Sequence, residues 1–315
     1  MDVRRLELLR ELAERGSITA VARATNRTVS AVSQQLKVLE REAGIPLTER
    51  SGRGIQLTGA GRMLAQTATD VAIALERADA LWEDFKQAPR GEVTLTTFPT
   101  GGQMLLPRLL DAVAEIPGLT LVATDQDPVL PDFADLTPDF DIVLADSPGM
   151  QPAWRERGLA VVKLMEEPLD IALPEGHPLA AKASLSAKDL MGETWIGVPR
   201  GFPYDRILRQ LEAITGEPAK IGQRFVDNGI VEVLVGSGHG IAILPRFTTR
   251  DHENGLTTRP LSGVRAVRQI SALLRPDRAE RPSVRVVVEA LRDVAARVVS
   301  EHRVDDRRVA EQRPD

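Results

Sequence analysis

Apolar positions near the start of the chain recur at helical spacing. Leu6, Leu9 and Leu12 form one stripe behind Asp2, a residue type that caps helix starts, and the stripe stops at Gly16. Ser17 opens a short second helix over 18–24. A polar break at Thr25, Asn26 and Arg27 follows, and Thr28 opens a third helix that runs to about Ala43 and ends at Gly44. Helix, tight turn, helix is the layout in which the second member enters a DNA major groove. In the third helix Val29, Val32, Leu36 and Leu39 are spaced three, four and three, a stripe expected in the core. The other face carries Thr28, Ser30, Ala31, Ser33, Gln34 and Lys37, with Arg27 just ahead. Gln can pair bidentately with adenine, Ser and Thr can reach bases or phosphates, and Ala can touch a thymine methyl. Arg27 and Lys37 suit phosphates. A solvated face on an ordinary helix is the competing reading.

Leu47, Ile55 and Leu57 then read as the buried ends of two short strands. The turn at Ser51, Gly52, Arg53 and Gly54 would hold Arg50 and Arg53 outward, as a wing lays arginines on phosphates or in the minor groove. From 58 to about 87 there is no proline, and the glycines lie in the first turn. Leu64, Thr67, Val71, Ala74, Ala78, Leu81 and Phe85 alternate spacings of three and four, a seam expected where helices pair along their length. A single amphipathic helix packed on its own domain is the alternative. Ala88, Pro89, Arg90 and Gly91 break the pattern.

After Gly91 the period changes. Strands are predicted over 93–98, 119–123 and 141–145, with a helix over 103–115. A second series follows: strands over 169–173, 194–198, 221–226 and 240–244, and helices over 203–214 and 229–235. A late strand over 268–274 and a late helix over 282–299 complete it. Strands alternating with helices indicate a parallel α/β sheet. The chain is expected to leave a first lobe near 164 and return near 267, and two such crossovers make a hinged pair of lobes with a cleft. The domain plan is therefore 1–58 for the reading head, 59–90 for the linker helix and 91–300 for the two-lobed region. Lobe I takes about 91–163 and 268–300, and lobe II about 164–267. The Arg- and Asp-rich tail over 301–315 lacks periodicity and is expected to be disordered.

Charge sharpens this division. The net charge is −5, yet residues 1–62 carry 11 Lys and Arg against 7 Asp and Glu. A basic head on an acidic body fits a small DNA-contacting module joined to a part that does not touch DNA. The chain lacks cysteine, which excludes disulfides and thiol redox sensing. No apolar run approaches the ~18 residues of a membrane span. The first residues also lack a signal peptide's apolar core, so a cytoplasmic location is expected.

The segment from Gly16 to Gly61 resembles the winged helix-turn-helix of the LysR-type transcriptional regulators. The carriers are Ala22, the turn, the SAVSQQL helix, Leu39 and Glu40, Gly44, Pro46 and Leu47, Arg50, and Leu57, Thr58 and Gly61. Two positions depart from the family habit: Thr48 where an aromatic is common, and Ser30 where a proline is. Further along, Leu105 to Pro107, the EGHPLA run from Glu175, Trp195 and Ile196, and the VGSGHGIAILP run from Val235 resemble the family's effector-binding region, itself similar to periplasmic binding proteins.

The resemblance implies an α/β protein with an N-terminal winged helix-turn-helix, a long linker helix as dimer arm, and a two-lobed effector region. It implies binding to double-stranded DNA at an interrupted inverted repeat, self-association to a dimer and then a tetramer, and RNA polymerase as a candidate partner. No cofactor is expected, only a small-molecule effector that the sequence does not identify.

Ligands of open α/β sheets sit beyond the carboxyl ends of strands, near helix starts. Three places fit. Thr97, Pro99, Thr100 and Gly101 could hold a carboxylate on hydroxyls and N–H groups. Arg200, Phe202 and Tyr204 add a cation and aromatic faces, and Asn228 lies at a third helix start. Helix capping alone would also explain these residues. Catalytic signatures are lacking: there is no Gly-x-Ser-x-Gly elbow, no phosphate-binding Gly-Lys-Ser/Thr loop and no Cys/His cluster. His177, His239, His252 and His302 are scattered, so no catalytic residue and no metal site is expected. The rival classes are a binding or transport protein whose N-terminal helices only oligomerise it, and a nucleoid-type DNA protein, which would carry positive overall charge.

Overall fold

A computed structural model describes residues 1–51, 54–85, 90–128, 130–252 and 255–311. The N-terminal head begins with α1 (Val3–Arg15), α2 (Ile18–Ala24) and α3 (Val29–Ala43). Each start is capped by the residue its sequence suggests: Asp2 accepts from the Arg4 N–H at 2.8 Å and Thr28 from the Ala31 N–H at 3.1 Å. Gly16 and Gly44 close α1 and α3 with φ of 66° and 72°, a left-handed conformation that favours glycine. The hairpin β1 (Thr48–Ser51) and β2 (Gly54–Leu57) follows. Leu9, Val21, Val32, Leu36, Leu39, Leu47 and Leu57 fill the core beneath. Val29 does not join them. It opens α3 at the edge of the stripe and stays 46% exposed, on the outward face with Thr28 and Ser30.

The linker helix α4 (Gly59–Phe85) starts hard against the head. A Cβ at Gly61 would lie 2.0 Å from the Leu47 carbonyl oxygen, so only glycine permits this approach. Ala65 and Ala68 are buried against α1, small residues that let the two helices close. Thr67, Ala74, Ala78 and Leu81 of the predicted seam face outward, Leu64 and Val71 are half-buried, and the Phe85 side chain lies outside the described residues.

Lobe I opens with β3 (Gly91–Thr97), α5 (Pro99–Ala114), β4 (Leu119–Asp125), β5 (Ile142–Ser147) and α6 (Pro152–Glu156). Then β6 (Ala160–Pro174) runs without interruption into lobe II. That lobe comprises β7 (Thr194–Gly197), α7 (Asp205–Thr215), β8 (Lys220–Arg224), α8 (Asn228–Gly236), β9 (Ala242–Pro245) and β10 (Leu256–Pro260). The chain returns through β11 (Val267–Leu274), α9 (Pro276–Ala279) and α10 (Pro282–Glu311).

The sheet is mixed, not purely parallel. β3 pairs parallel with β4 and β5, whereas β11 lies antiparallel between β5 and β6. The reason is the double crossover: β6 leaves lobe I and β11 returns, so the two run in opposite directions side by side. The far half of β6 pairs with β9 and β10, and one strand thus belongs to both lobes. Lobe I packs Leu95, Leu105, Leu109, Ile142, Leu144 and Trp154 under α5 and α10, and lobe II packs Ile171, Trp195, Ile207 and Ile241 under α7.

At the end of the chain α10 continues to Glu311, past the point where disorder is expected. Arg108 pairs with Glu301 at 2.8 Å and Phe247 stacks on His302 at 4.2 Å, which carries the helix beyond residue 299. Among the described residues no helix is long and apolar enough to cross a membrane.

Candidate nucleic-acid interface and interlobe cleft

Two surfaces collect the chemistry that the sequence singles out. On the head, Arg27, Thr28, Ser30, Gln34 and Lys37 are exposed, and Ala31 and Ser33 are half-buried beside them. Thr28 and Ser30 hydroxyls lie 3.0 Å apart, so the first turn of α3 presents a hydroxyl pair. Gln34, Lys37 and Arg41 line an open groove of about 610 Å³ that continues to Ile45 and Pro46. Arg50 is exposed on β1, and Arg53 lies outside the described residues. Glu40 fixes the wing to α3: one carboxylate oxygen accepts the Leu47 N–H at 2.9 Å, the Thr48 N–H at 2.8 Å and the Thr48 hydroxyl at 2.9 Å. Thr48 thus joins the wing to α3 through its hydroxyl as well as its backbone.

The second surface is a cleft of about 290 Å³ where the lobes meet. Pro99 and Thr100 at the start of α5, Phe202 and Tyr204 before α7, and Asn228 at the start of α8 line it. Thr97, Gly101 and Arg200 do not. Thr97 is buried with its hydroxyl donating to the Phe98 carbonyl at 3.1 Å, and Arg200 is exposed away from the wall. Gly101 acts behind the wall, where a Cβ would stand 2.8 Å from the Phe98 ring.

Arg268, on β11, is the residue that sequence reasoning misses. Its guanidinium is 2% exposed and reaches both lobes. The register places it directly across from Glu167 of β6, to which Nε donates at 2.8 Å. Nη1 donates to Asp146 at 3.2 Å and to the Tyr204 hydroxyl at 2.9 Å. Nη2 donates to the Thr100 hydroxyl at 2.8 Å and lies 2.6 Å from Glu167. The cation also sits 5.1 Å above the Phe98 ring. Burial alone would lower its pKa, but the charges of Glu167 and Asp146 raise it, so it stays a cation. The sequence signal for it is a charged residue at the start of a strand whose second half is apolar.

The carboxylates respond to the same burial. Desolvation raises Asp146 in spite of its bond to Arg268. Asp127, which also faces the cleft, is pushed up to about 6, chiefly by loss of water and then by Asp146, with Arg268 pulling the other way. Burial raises the Tyr204 phenol, which stays protonated. Among the described residues no group of three or more acidic, His or Cys side chains is arranged to hold a metal. His177 caps the turn at Pro178–Ala181, its Nδ1 accepting the Leu179 N–H at 3.2 Å.

Comparison with known proteins matches both halves. Residues 3–62 match the family described as "Bacterial regulatory helix-turn-helix protein, lysR family", and residues 86–296 match "LysR substrate binding domain". Among curated relatives, the transcriptional activator protein LysR of Escherichia coli is 27% identical over 290 residues, covering 91% of this chain and 90% of that protein. The RuBisCO operon transcriptional regulator of Allochromatium vinosum is 26% identical, covering 79% and 80%. Among solved structures, a full-length OxyR variant from Pseudomonas aeruginosa superposes with a TM-score of 0.63 at 20% identity, covering 93% of this chain and 98% of that one. Full-length CbnR complexed with its target DNA superposes at 0.53 with 22% identity, covering 94% and 100%. These structural likenesses establish the fold.

Proposed function

Because this chain belongs to the LysR family of transcriptional regulators, we propose that α3 reads an interrupted inverted repeat and that a small effector in the interlobe cleft controls the binding or bending of that DNA. The chain is a DNA-binding regulator and not an enzyme, as are the curated relatives it matches along most of its length. That membership removes the transport-protein and nucleoid readings of the sequence.

Thr28, Ser30, Ala31, Ser33 and Gln34 meet base edges, Arg27 and Lys37 hold phosphates, and Arg50 and Arg53 of the wing add contacts beside them. The observation that carries this assignment is the division of α3. Val32, Leu36 and Leu39 are buried, while Thr28, Ser30, Gln34 and Lys37 on the opposite face are exposed. Two heads are needed for two half-sites, and the outward stripe of α4 supplies the pairing surface for a dimer, with a dimer of dimers built on it. Pro99, Thr100, Phe202, Tyr204 and Asn228 contact the effector. The protein works in the cytoplasm beside its DNA, with RNA polymerase as the partner through which it acts.

Selection of binding sites from random DNA tests the assignment. We expect an enriched inverted repeat with an unread centre. Gln34→Ala should weaken binding to it by ~1–3 kcal/mol and relax specificity at one position of each half-site. The reading of α3 is withdrawn if Gln34→Ala and Arg27→Ala both bind the selected site as tightly as the parent protein.

A further inference from the structure

The cleft's charge balance indicates what it binds. Its volume, about 290 Å³, suits a small molecule. Phe98, Phe202, Val198 and Val226 supply apolar surface, and the charged groups on the wall are Asp127, Asp146, Asp227 and Arg268.

Arg268 is not available to a ligand. A guanidinium has five N–H groups, and Glu167, Asp146, Tyr204 and Thr100 between them occupy every nitrogen. The start of α8 already carries a negative charge, since the Asp227 carboxylate accepts the Ile230 N–H at 3.0 Å. An entering anion therefore faces three carboxylates. The wall feature that favours an anion is the start of α5, which has no side-chain cap and carries a partial charge of roughly +0.5. Asp127 is the opposite case. It opens onto the cleft and makes no hydrogen bond to any described residue, so its oxygens are ready to accept.

We propose that the effector is a small organic cation, a protonated amine or amidinium on a compact apolar or aromatic body. Its charged end rests on Asp127, next to Asp146, and its body lies against Phe202 and Val226. This deepens the effector reading of the cleft and rests on it. An amino acid belongs to the same class, its ammonium taken by Asp127 and its carboxylate by the start of α5, which lines the same cleft. A simple carboxylate does not.

Thermal unfolding of the full-length protein with tyramine, phenethylamine and agmatine at about 10 mM, each beside phenylpropionate and phenethyl alcohol, tests the class. At least one amine should raise the midpoint by several degrees, with no shift from the acid or the alcohol. Asp127→Asn should weaken that amine about tenfold or more in a calorimetric titration, the loss of one charge-assisted hydrogen bond. Asp127 makes no hydrogen bond to any described residue, so the variant should fold normally. No shift from any amine overturns the cation assignment. Stabilisation by phenylpropionate that disappears in Phe202→Ala overturns it too, while leaving the cleft as the effector site. Stabilisation by any probe that survives both Asp127→Asn and Phe202→Ala overturns the cleft reading itself.

Discussion

Arg275, where β11 ends in lobe I, donates to Glu11 of α1 at 2.9 Å and so joins parts of the chain 264 residues apart. The pair sits in a buried cluster. Arg275 also lies 3.0 Å from Glu14 and 3.2 Å from Asp277, and Arg10 of α1 donates to Asp277 at 2.9 Å. Arg15 extends it, 2.8 Å from Asp139 and donating to the Pro138 carbonyl at 3.2 Å. The reading head thus rests on the lobe that forms half of the cleft. Burial alone would raise Glu11, yet hydrogen bonds from Arg15 and Arg275 hold it below the usual carboxylate range.

Removing the cation from this cluster strands its carboxylates. Arg275→Met leaves Glu11, Glu14 and Asp277 with only the two α1 arginines, and breaking a buried pair typically costs about 3–5 kcal/mol. We expect a lower urea midpoint and a head that unfolds in a separate step from the effector region. A single transition at the parent midpoint would show that the cluster ties nothing together.

Arg268→Lys tests the hinge in a different way. Lysine keeps the charge but offers three donors from one point, so it cannot serve Glu167, Asp146, Tyr204 and Thr100 together. The variant should be destabilised by a few kcal/mol, on the order expected for unpaired buried polar groups. It should also lose its effector response while binding operator DNA normally. An unchanged thermal midpoint, or an intact effector response, would remove Arg268 from its role at the hinge.

Much of this architecture was legible because it follows from local rules. Asp2, Ser17 and Thr28 mark helix starts, Gly16 and Gly44 mark ends, and spacing gives the buried face of α3 except at Val29 in its first turn. Other features depend on partners far along the chain. Arg10 and Glu11 look like solvent residues on α1 and are buried because Arg275 and Asp277 arrive from the other end of the sequence. Arg268 is silent for the same reason, since its partners come from β5, β6, α5 and the turn before α7. The antiparallel run of β11 was hidden too, because alternating helices and strands fix neither order nor direction. Arg200 misled as a charged residue beside two aromatics, of which only the aromatics face the cleft.

The pH dependence of Asp127 has a definite sign. Its folded pKa of about 6 lies above the ordinary value of 3.8, so the folded state holds its proton more tightly than the unfolded chain. Below 3.8 both states are protonated and the group has no effect. Between 3.8 and about 6 the unfolded chain ionises first, so the group comes to weigh against the fold, through lost water and the charge of Asp146, with Arg268 as partial compensation. Asp127→Asn should therefore melt at or above the parent temperature at pH 7.5, with the difference vanishing by about pH 4. A variant that melts lower than the parent at pH 7.5 would contradict the strained environment assigned to this carboxylate.

The phosphate and base contacts proposed for the head separate by their salt dependence. If Lys37 holds a phosphate as proposed, Lys37→Ala should weaken all DNA sequences alike and lower the slope of log affinity against log salt by about 1 per contact. Gln34→Ala carries no charge change and should leave the slope intact while altering specificity. Fluorescence anisotropy across a salt series on operator and scrambled DNA distinguishes them. A slope that is unchanged in Lys37→Ala places that lysine away from the phosphates.

The outward stripe of α4 makes the last prediction. Leu81 is 72% exposed and Trp82 60%, with Ala78 and Ala74 on the same outward side and Met63 and Leu75 also exposed. An exposed apolar stripe of this kind marks an interaction surface, and the three-four spacing suits a second copy of the same helix. Leu81→Asp places a carboxylate in that seam, close to its own symmetry mate, and Leu81 belongs to none of the core clusters among the described residues. The variant should keep the parent's helical content and melt of the effector region, yet sediment as a monomer at micromolar concentration. Operator affinity should fall by orders of magnitude as the second head is lost. If Leu81→Asp sediments as the parent does, the chain pairs through a different surface, and the seam belongs to α4 alone.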